Sequence, residues 1–163
     1  MNRKNLMEAK KVAQISKAIV NKSYKKTPFP NAPNSLNNQN MANAAREITS
    51  WDGYCPTPLH SLTEIAAECG VKAVLYKDES TRFDLRSFKA LGGSYAVASL
   101  IRSKKSQGFD ASNITVTTAT DGNHGRSVSW GAKLAGCKAR IYIHEQVSVA
   151  REKAMQSFGA DVV

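Results

Sequence analysis

The regular exchange of short apolar runs with helical stretches downstream of residue 110 limits the fold of this chain more than any other feature. Ile114 to Thr118 reads as a strand, Arg126 to Ala135 as a helix ended by Gly136, and Ala139 to Ile143 as a second strand. Val147, Ala150, Ala154 and Phe158 form one helical stripe that stops at Gly159, and Ala160 to Val163 begins another strand. A helix between two short strands carries the chain back so that both run in one direction, by a right-handed crossover. The pattern predicts an α/β fold: a parallel sheet with flanking helices.

Upstream the signals are more varied. Met7, Val12, Ile15 and Ile19 suit a short amphipathic helix, and Thr27 to Asn40 reads as an extended Pro- and Asn-rich linker, after which Met41 to Trp51 returns to helix formers. Pro56-Thr57-Pro58-Leu59 fixes an extended turn. Ser61 or Thr63 is expected to cap a helix through Glu64 to Glu68 that stops at Gly70, and Ala73 to Tyr76 carries a brief buried-strand signal. A further helix runs from Lys89 to about Lys104, with Phe88, Leu91, Tyr95 and Ala98 on one side.

With 163 residues, 42% of them hydrophobic and 22% charged, the chain can bury one real core or two incomplete ones. Its net charge of +10 suggests nucleic acid until the charge is mapped. Residues 1 to 26 hold eight basic residues against Glu8, a net +7, which leaves +3 for the rest. The excess belongs to an N-terminal arm, and no Arg-rich groove with interleaved aromatics follows it. Cys55, Cys69 and Cys137 are odd in number and lack a CxxC pair, which argues against a disulfide framework or a zinc site and for a reducing cytoplasm. No apolar run is long enough to span a membrane.

Two stretches carry chemistry. The first is Asp78 to Gly93, in which Lys89 opens a helix and Arg82 and Arg86 are neighbouring cations in sequence. The helix dipole and those cations both disfavour an ammonium, and a free amine can attack an aldehyde to form an imine. Position alone favours the plainer reading, an exposed helix-start lysine. The second is Thr117 to Arg126, where Gly122 and Gly125 and several small hydroxyl residues join a strand to a helix. Amides there form an anion site suited to a carboxylate. Asp121 or Asn123 acting only as a helix cap is the plain alternative, and the spacing matches neither GxGxxG nor a P-loop.

Ser87-Phe88-Lys89-Ala90-Leu91-Gly92-Gly93 resembles the Ser-Phe-Lys segment of the fold-type II pyridoxal phosphate enzymes, the tryptophan synthase beta-like group. The Pro-Thr-Pro-Leu, helix, strand, Lys77-Asp78-Glu79 order and the loop Asp121-Gly122-Asn123-His124 resemble the same family. The resemblance implies pyridoxal 5'-phosphate as cofactor, with Lys89 as imine former and base, Phe88 packed on the cofactor and Asn123 bonded to its hydroxyl oxygen. It implies that Thr120, Asp121, Gly122, Asn123 and His124 hold the substrate carboxylate. His124 reads as a packed residue behind the site rather than a catalyst, and no metal is expected.

Asp121 stands where most members of that family carry Ser. A carboxylate beside a substrate carboxylate raises the pKa of one of them, which suits a second base. The wording of the motifs implies α,β-elimination of 2,3-diaminopropionate to pyruvate and ammonia, with a serine/threonine dehydratase or threonine synthase activity as the alternative. A reading from another class is a non-catalytic remnant whose basic arm binds RNA or a partner chain.

The implied organisation is a basic arm and linker at 1–44, part of a large domain at 45–110 and an incomplete small α/β domain at 111–163. It includes a small amino-acid substrate, a homodimer in the full-length form, and neither membrane nor nucleic acid as partner. The family's Gly-rich phosphate loop and its pyridine-nitrogen partner are expected beyond Val163, so the isolated chain is expected to be an N-terminal part with little or no turnover.

Overall fold

The Asn37 side-chain oxygen accepts from Asn40 N at 2.7 Å and caps helix α1, Asn38–Ser50. The computed structural model describes residues 37–163 together with Ser23. The amphipathic helix read over residues 7 to 20, and most of the Pro/Asn-rich linker, lie outside the described residues. The linker reading gives way at Asn38, three residues before the expected helix start, because Asn37 supplies a cap that composition alone does not reveal.

Strand β1, Leu59–Ser61, pairs antiparallel with β2, Leu75–Lys77, in the register Leu59 to Lys77. Between them lies helix α2, Thr63–Cys69. Neither Ser61 nor Thr63 caps it: Leu62 occupies the cap position and no side-chain bond is made there. Gly70 does close it, in the left-handed conformation with φ 64°. The buried strand expected at 73–76 is corrected too. Leu75 and Tyr76 are exposed, because their strand pairs only with β1 in a two-stranded ribbon.

Helix α3, Lys89–Ser106, leads through a 3-10 turn at Ala111–Asn113 into β3, Thr115–Ala119. Helix α4, Asn123–Ala135, β4, Lys138–Tyr142, helix α5, Val149–Gln156, and β5, Asp161–Val162, follow. The three strands form a parallel sheet in the order β3-β4-β5, with Thr115 opposite Lys138 and Arg140 opposite Asp161. This is the α/β arrangement that the alternation predicts.

The core lies on one face of that sheet. Val116, Ala139 and Ile141 meet Val97 and Ile101 of α3, Val128 and Ala132 of α4, and Met155 of α5. Lys138, Arg140 and Tyr142, which alternate with the core residues of β4, are exposed, and Arg140 Nε pairs with Asp161 Oδ2 at 2.7 Å.

The buried face of α3 is not the one that the apolar residues suggest. Ala90, Ser94, Val97 and Ile101 are buried, whereas Leu91, Tyr95 and Ala98 are half-buried and Phe88 is 65% exposed. Small residues win this face because α3 and α4 pack at close range. A Cβ built on Gly131 of α4 would lie 2.7 Å from the Ser94 Cα, a backbone atom that cannot move aside alone. Gly131→Ala should therefore destabilise the fold by about 1–3 kcal/mol through overpacking. Gly92→Ala, where an added Cβ meets nothing within 4 Å, should stabilise by up to about 1 kcal/mol through helix propensity. Urea midpoints of the two variants moving the same way would contradict this packing account.

Candidate active site

The segment before Lys89 is held from three sides. Arg82, 6% exposed, makes a two-pronged pair with Glu79 at 2.8 and 3.0 Å, donates to the Thr57 hydroxyl at 3.0 Å and to the Cys55 carbonyl at 2.9 Å. The Thr57 hydroxyl donates to Glu79 Oε1 at 2.5 Å, and Lys77 Nζ donates to the Thr57 carbonyl at 2.5 Å. These bonds clamp the Pro-Thr-Pro turn onto residues 77 to 82. The Arg82 guanidinium, then Thr57 and Lys77, hold the Glu79 carboxyl down to about 2, against a desolvation cost that acts the other way. Arg82 is thus a neutralised structural partner. The expectation that it lends a free cation to Lys89 is corrected, since its charge is taken up by Glu79.

Phe83, Asp84 and Arg86 all have positive φ, at 48°, 56° and 54°. Three such residues within four positions store strain of about 1–3 kcal/mol each. The surroundings hold them there. The Phe83 ring packs 4.8 Å from Trp130 of α4, 5.9 Å from Trp51 and 6.1 Å from Tyr54. Leu85 is buried, and Arg126 Nη2 lies 3.5 Å from the Asp84 carbonyl oxygen. The buried Nε of Arg126 has no acceptor among the described residues.

Lys89 is the first residue of α3, and its amide donates to the Ser87 hydroxyl at 3.2 Å. Both Phe88 and Lys89 are exposed. On the other side of the site, β3 runs on until Thr120 N donates to Tyr142 O at 2.9 Å, and the chain then turns into α4. Gly122 holds the cap position of α4 with no side-chain cap, so neither Asp121 nor Asn123 acts as one. Gly122 N donates to the Thr120 hydroxyl at 3.3 Å, and Arg126 N to Gly122 O at 3.1 Å. Among the described residues, the amides of Asn123, His124 and Gly125 donate to no acceptor. They are the open first-turn donors of a helix, at the positive end of its dipole. A Cβ on Gly125 would overlap Met155 Sδ and Thr120 Cγ2, so glycine is what lets this turn lie against the core.

The two helix starts lie side by side. Ser127 Oγ donates to the Lys89 carbonyl at 2.5 Å, and His124 Nδ1 is 3.6 Å from where a Cβ on Gly93 would be. Lys89 and the 120–125 turn are thereby brought to one end of the α3–α4 pair. Asp121, Asn123 and His124 are exposed there, while Thr120 and Gly122 are half-buried. Asp121 also borders a depression shared with His144, Gln146, Val147 and Arg151, and its carbonyl accepts from Arg151 Nη1 at 3.3 Å. Sequence reasoning missed the roles of Ser127, Gly131 and Thr57 and the contact between the Trp51 and Trp130 rings, 5.5 Å apart; the small residues spaced four apart at 127 and 131 are the one signal that could have found the helix pairing.

No helix among the described residues is long and apolar enough to cross a membrane. Comparison with known proteins gives a consistent result. Diaminopropionate ammonia-lyase of Escherichia coli strain K12 is 38% identical over 147 residues, 83% of this chain and 37% of that protein. The enzyme of the same name from Salmonella typhimurium is 39% identical over 123 residues, 66% of this chain and 30% of that protein. The crystal structure of the Escherichia coli enzyme in apo form superposes with a TM-score of 0.67 at 41% identity, covering 76% of this chain and 35% of that one. This chain thus spans about a third of the length of these relatives. The model of the family described as "Pyridoxal-phosphate dependent enzyme" matches residues 50–163, and to that family the chain belongs.

Proposed function

We propose that this chain contributes the lysine and the carboxylate cradle of an ammonia-lyase that converts 2,3-diaminopropionate and one water into pyruvate and two ammonia. The observation that supports the reading is the hydrogen bond from Ser127 Oγ to the Lys89 carbonyl, which ties the start of the helix that bears Lys89 to the helix whose first-turn amides, Asn123 to Gly125, are open. The donor set fits pyridoxal phosphate: a primary amine for its aldehyde, an exposed Phe88 ring next to that amine, and the Asn123 side-chain amide for its hydroxyl oxygen. When bound, pyridoxal phosphate supplies an electron sink that makes the α-hydrogen of an amino acid acidic.

The residues divide the remaining work. Thr120, Gly122 and the first-turn amides of α4 receive the substrate carboxylate, at the positive end of the helix dipole. Lys89 Nζ takes the α-proton of the L-isomer, and Asp121 takes that of the D-isomer from the loop that also faces the carboxylate. Loss of the β-amino group follows proton removal, and water releases the second ammonia. The activity is assigned to a polypeptide of the relatives' length, of which this chain spans 37%. In that protein we place residues 1–44 as a basic arm and linker, 45–110 in the large domain and 111–163 in the small α/β domain, in a cytoplasmic homodimer.

The test is pyruvate release by the full-length protein with both isomers of diaminopropionate, with serine and with threonine. Diaminopropionate should lead the others by about tenfold or more in kcat/KM, since a site built for a polar group rejects analogues lacking it. Asp121→Asn should lower turnover of the D-isomer about 10²-fold, the usual size of a lost general base, and leave the L-isomer nearly unchanged. A preference for serine or threonine would make the protein a dehydratase instead. Equal losses on both isomers would remove Asp121 from its role as second base.

A further inference from the structure

Between α3 and α4 lies a group of buried hydroxyls that touch neither cofactor nor substrate in the proposed chemistry. Ser94, Ser127 and Ser129 are all 0% exposed. Ser129 Oγ donates to Gly125 O at 2.7 Å within its own helix. The other two reach across. Ser127 Oγ donates to Lys89 O at 2.5 Å, and Ser94 Oγ bonds Ser127 O at 2.8 Å while lying 3.2 Å from Ser127 Oγ. Each hydroxyl has one proton. With the Ser127 proton committed to Lys89, the Ser94 proton must be the one shared between the oxygens of Ser127. Gly93 leaves the space for this, because a Cβ there would overlap Ser127 Oγ.

We infer that Ser127 is a positioning residue for Lys89: it bolts the first turn of α3 to the turn of α4 that carries the amide cradle. The inference rests on the proposed lyase reading for its catalytic consequence, but its geometry stands apart from it. Lys89 is the first residue of its helix, with no side-chain cap on Phe88, so that end is free to fray unless something outside the helix holds it. The bond is to the carbonyl of Lys89 itself, so it fixes the Cα from which the amine extends. The same α4 turn presents Asn123 and His124. One hydrogen bond therefore sets the separation between proton acceptor and carboxylate cradle, a quantity to which rates are steeply sensitive.

The prediction concerns the ratio of isomers rather than activity alone. In the full-length protein with pyridoxal phosphate, Ser127→Ala should lower L-isomer turnover roughly tenfold, as expected for a base displaced by a fraction of an ångström. The D-isomer, served by Asp121, should lose about twofold, so the ratio of L to D turnover falls roughly fivefold. Ser129→Ala, a hydroxyl of equal burial that stays within α4, should leave the ratio unchanged. Ser127→Cys keeps a donor at the same branch point, weaker and somewhat larger than the hydroxyl, and should fall between wild type and Ser127→Ala.

A second readout needs no catalysis: hydrogen exchange of the amides of residues 90–93 in cofactor-free protein should quicken roughly tenfold in Ser127→Ala and not in Ser129→Ala. Equal loss on both isomers, or an unmoved ratio, overturns the inference, as does an equal shift in Ser129→Ala. If the wild-type protein eliminates neither isomer, the lyase reading falls and the exchange result alone decides the bolt: faster exchange upholds it and unchanged exchange rejects it. Should Ser127→Ala fail to fold, Ser127→Cys is read by the same criteria.

Discussion

Lys89→Ala should abolish pyruvate formation from either isomer of diaminopropionate, lowering kcat by about 10³–10⁴-fold or more, because one substitution removes both the covalent anchor and a base. The loss should be chemical rather than structural. Lys89 is exposed, and only its backbone groups bond to Ser87 and Ser127, so stability should change by no more than about 0.5 kcal/mol. Lys89→Arg should be as inactive as the alanine variant, since a guanidinium keeps its proton and cannot serve as a free amine. Thermal unfolding and steady-state kinetics measured together separate these effects. Activity within about tenfold of wild type in Lys89→Ala would leave the proposed chemistry without its nucleophile.

The second large effect belongs to the clamp beneath the site. Glu79→Gln leaves the Arg82 guanidinium, 6% exposed, facing a neutral amide, and removal of one partner from such a pair costs about 3–5 kcal/mol. Its pH dependence has a definite sign. The folded carboxyl is held at about 2 against a usual 4.5, so the native state favours the ionised form. That stabilisation is fully present above pH 4.5 and is lost as pH falls through about 2. Over that window the clamp should give up about 3 kcal/mol, read as a drop in the urea midpoint. Glu79→Gln should lack this component. Parallel acid profiles for wild type and variant would show that other carboxylates carry the acid sensitivity. Because the clamp carries the strained turn at Phe83, Asp84 and Arg86, its loss should also release Lys89 from its setting.

How much of this could be read from the residues varies with the range of the interaction. The strands and helices after residue 110 are legible because each is short and apolar on one side; Gly136 closes α4 in the left-handed conformation, whereas α5 ends at Gln156 with Ser157 as its cap, and Gly159, also at positive φ, lies beyond the expected stop. The chemistry of Lys89 and of the Asp121 to His124 turn is legible because it lies in contiguous wording. The buried face of α3 is not, since hydrophobicity points to Leu91 and Tyr95 while close packing selects Ala90, Gly93 and Ser94. Leu75 and Tyr76 mislead in the opposite sense, being apolar yet exposed on a two-stranded ribbon. The Thr57–Arg82 and Ser127–Lys89 bonds join residues 25 and 38 positions apart, and no local pattern encodes such pairs.

The most direct test of the central claim is chemical mapping of the amine. The full-length protein is incubated with pyridoxal phosphate, reduced with borohydride and digested, and the modified lysine is identified by mass spectrometry. The account predicts the label on Lys89, with labelling lost in Lys89→Ala. Label spread over the surface lysines, or fixed on a lysine other than Lys89, would contradict it.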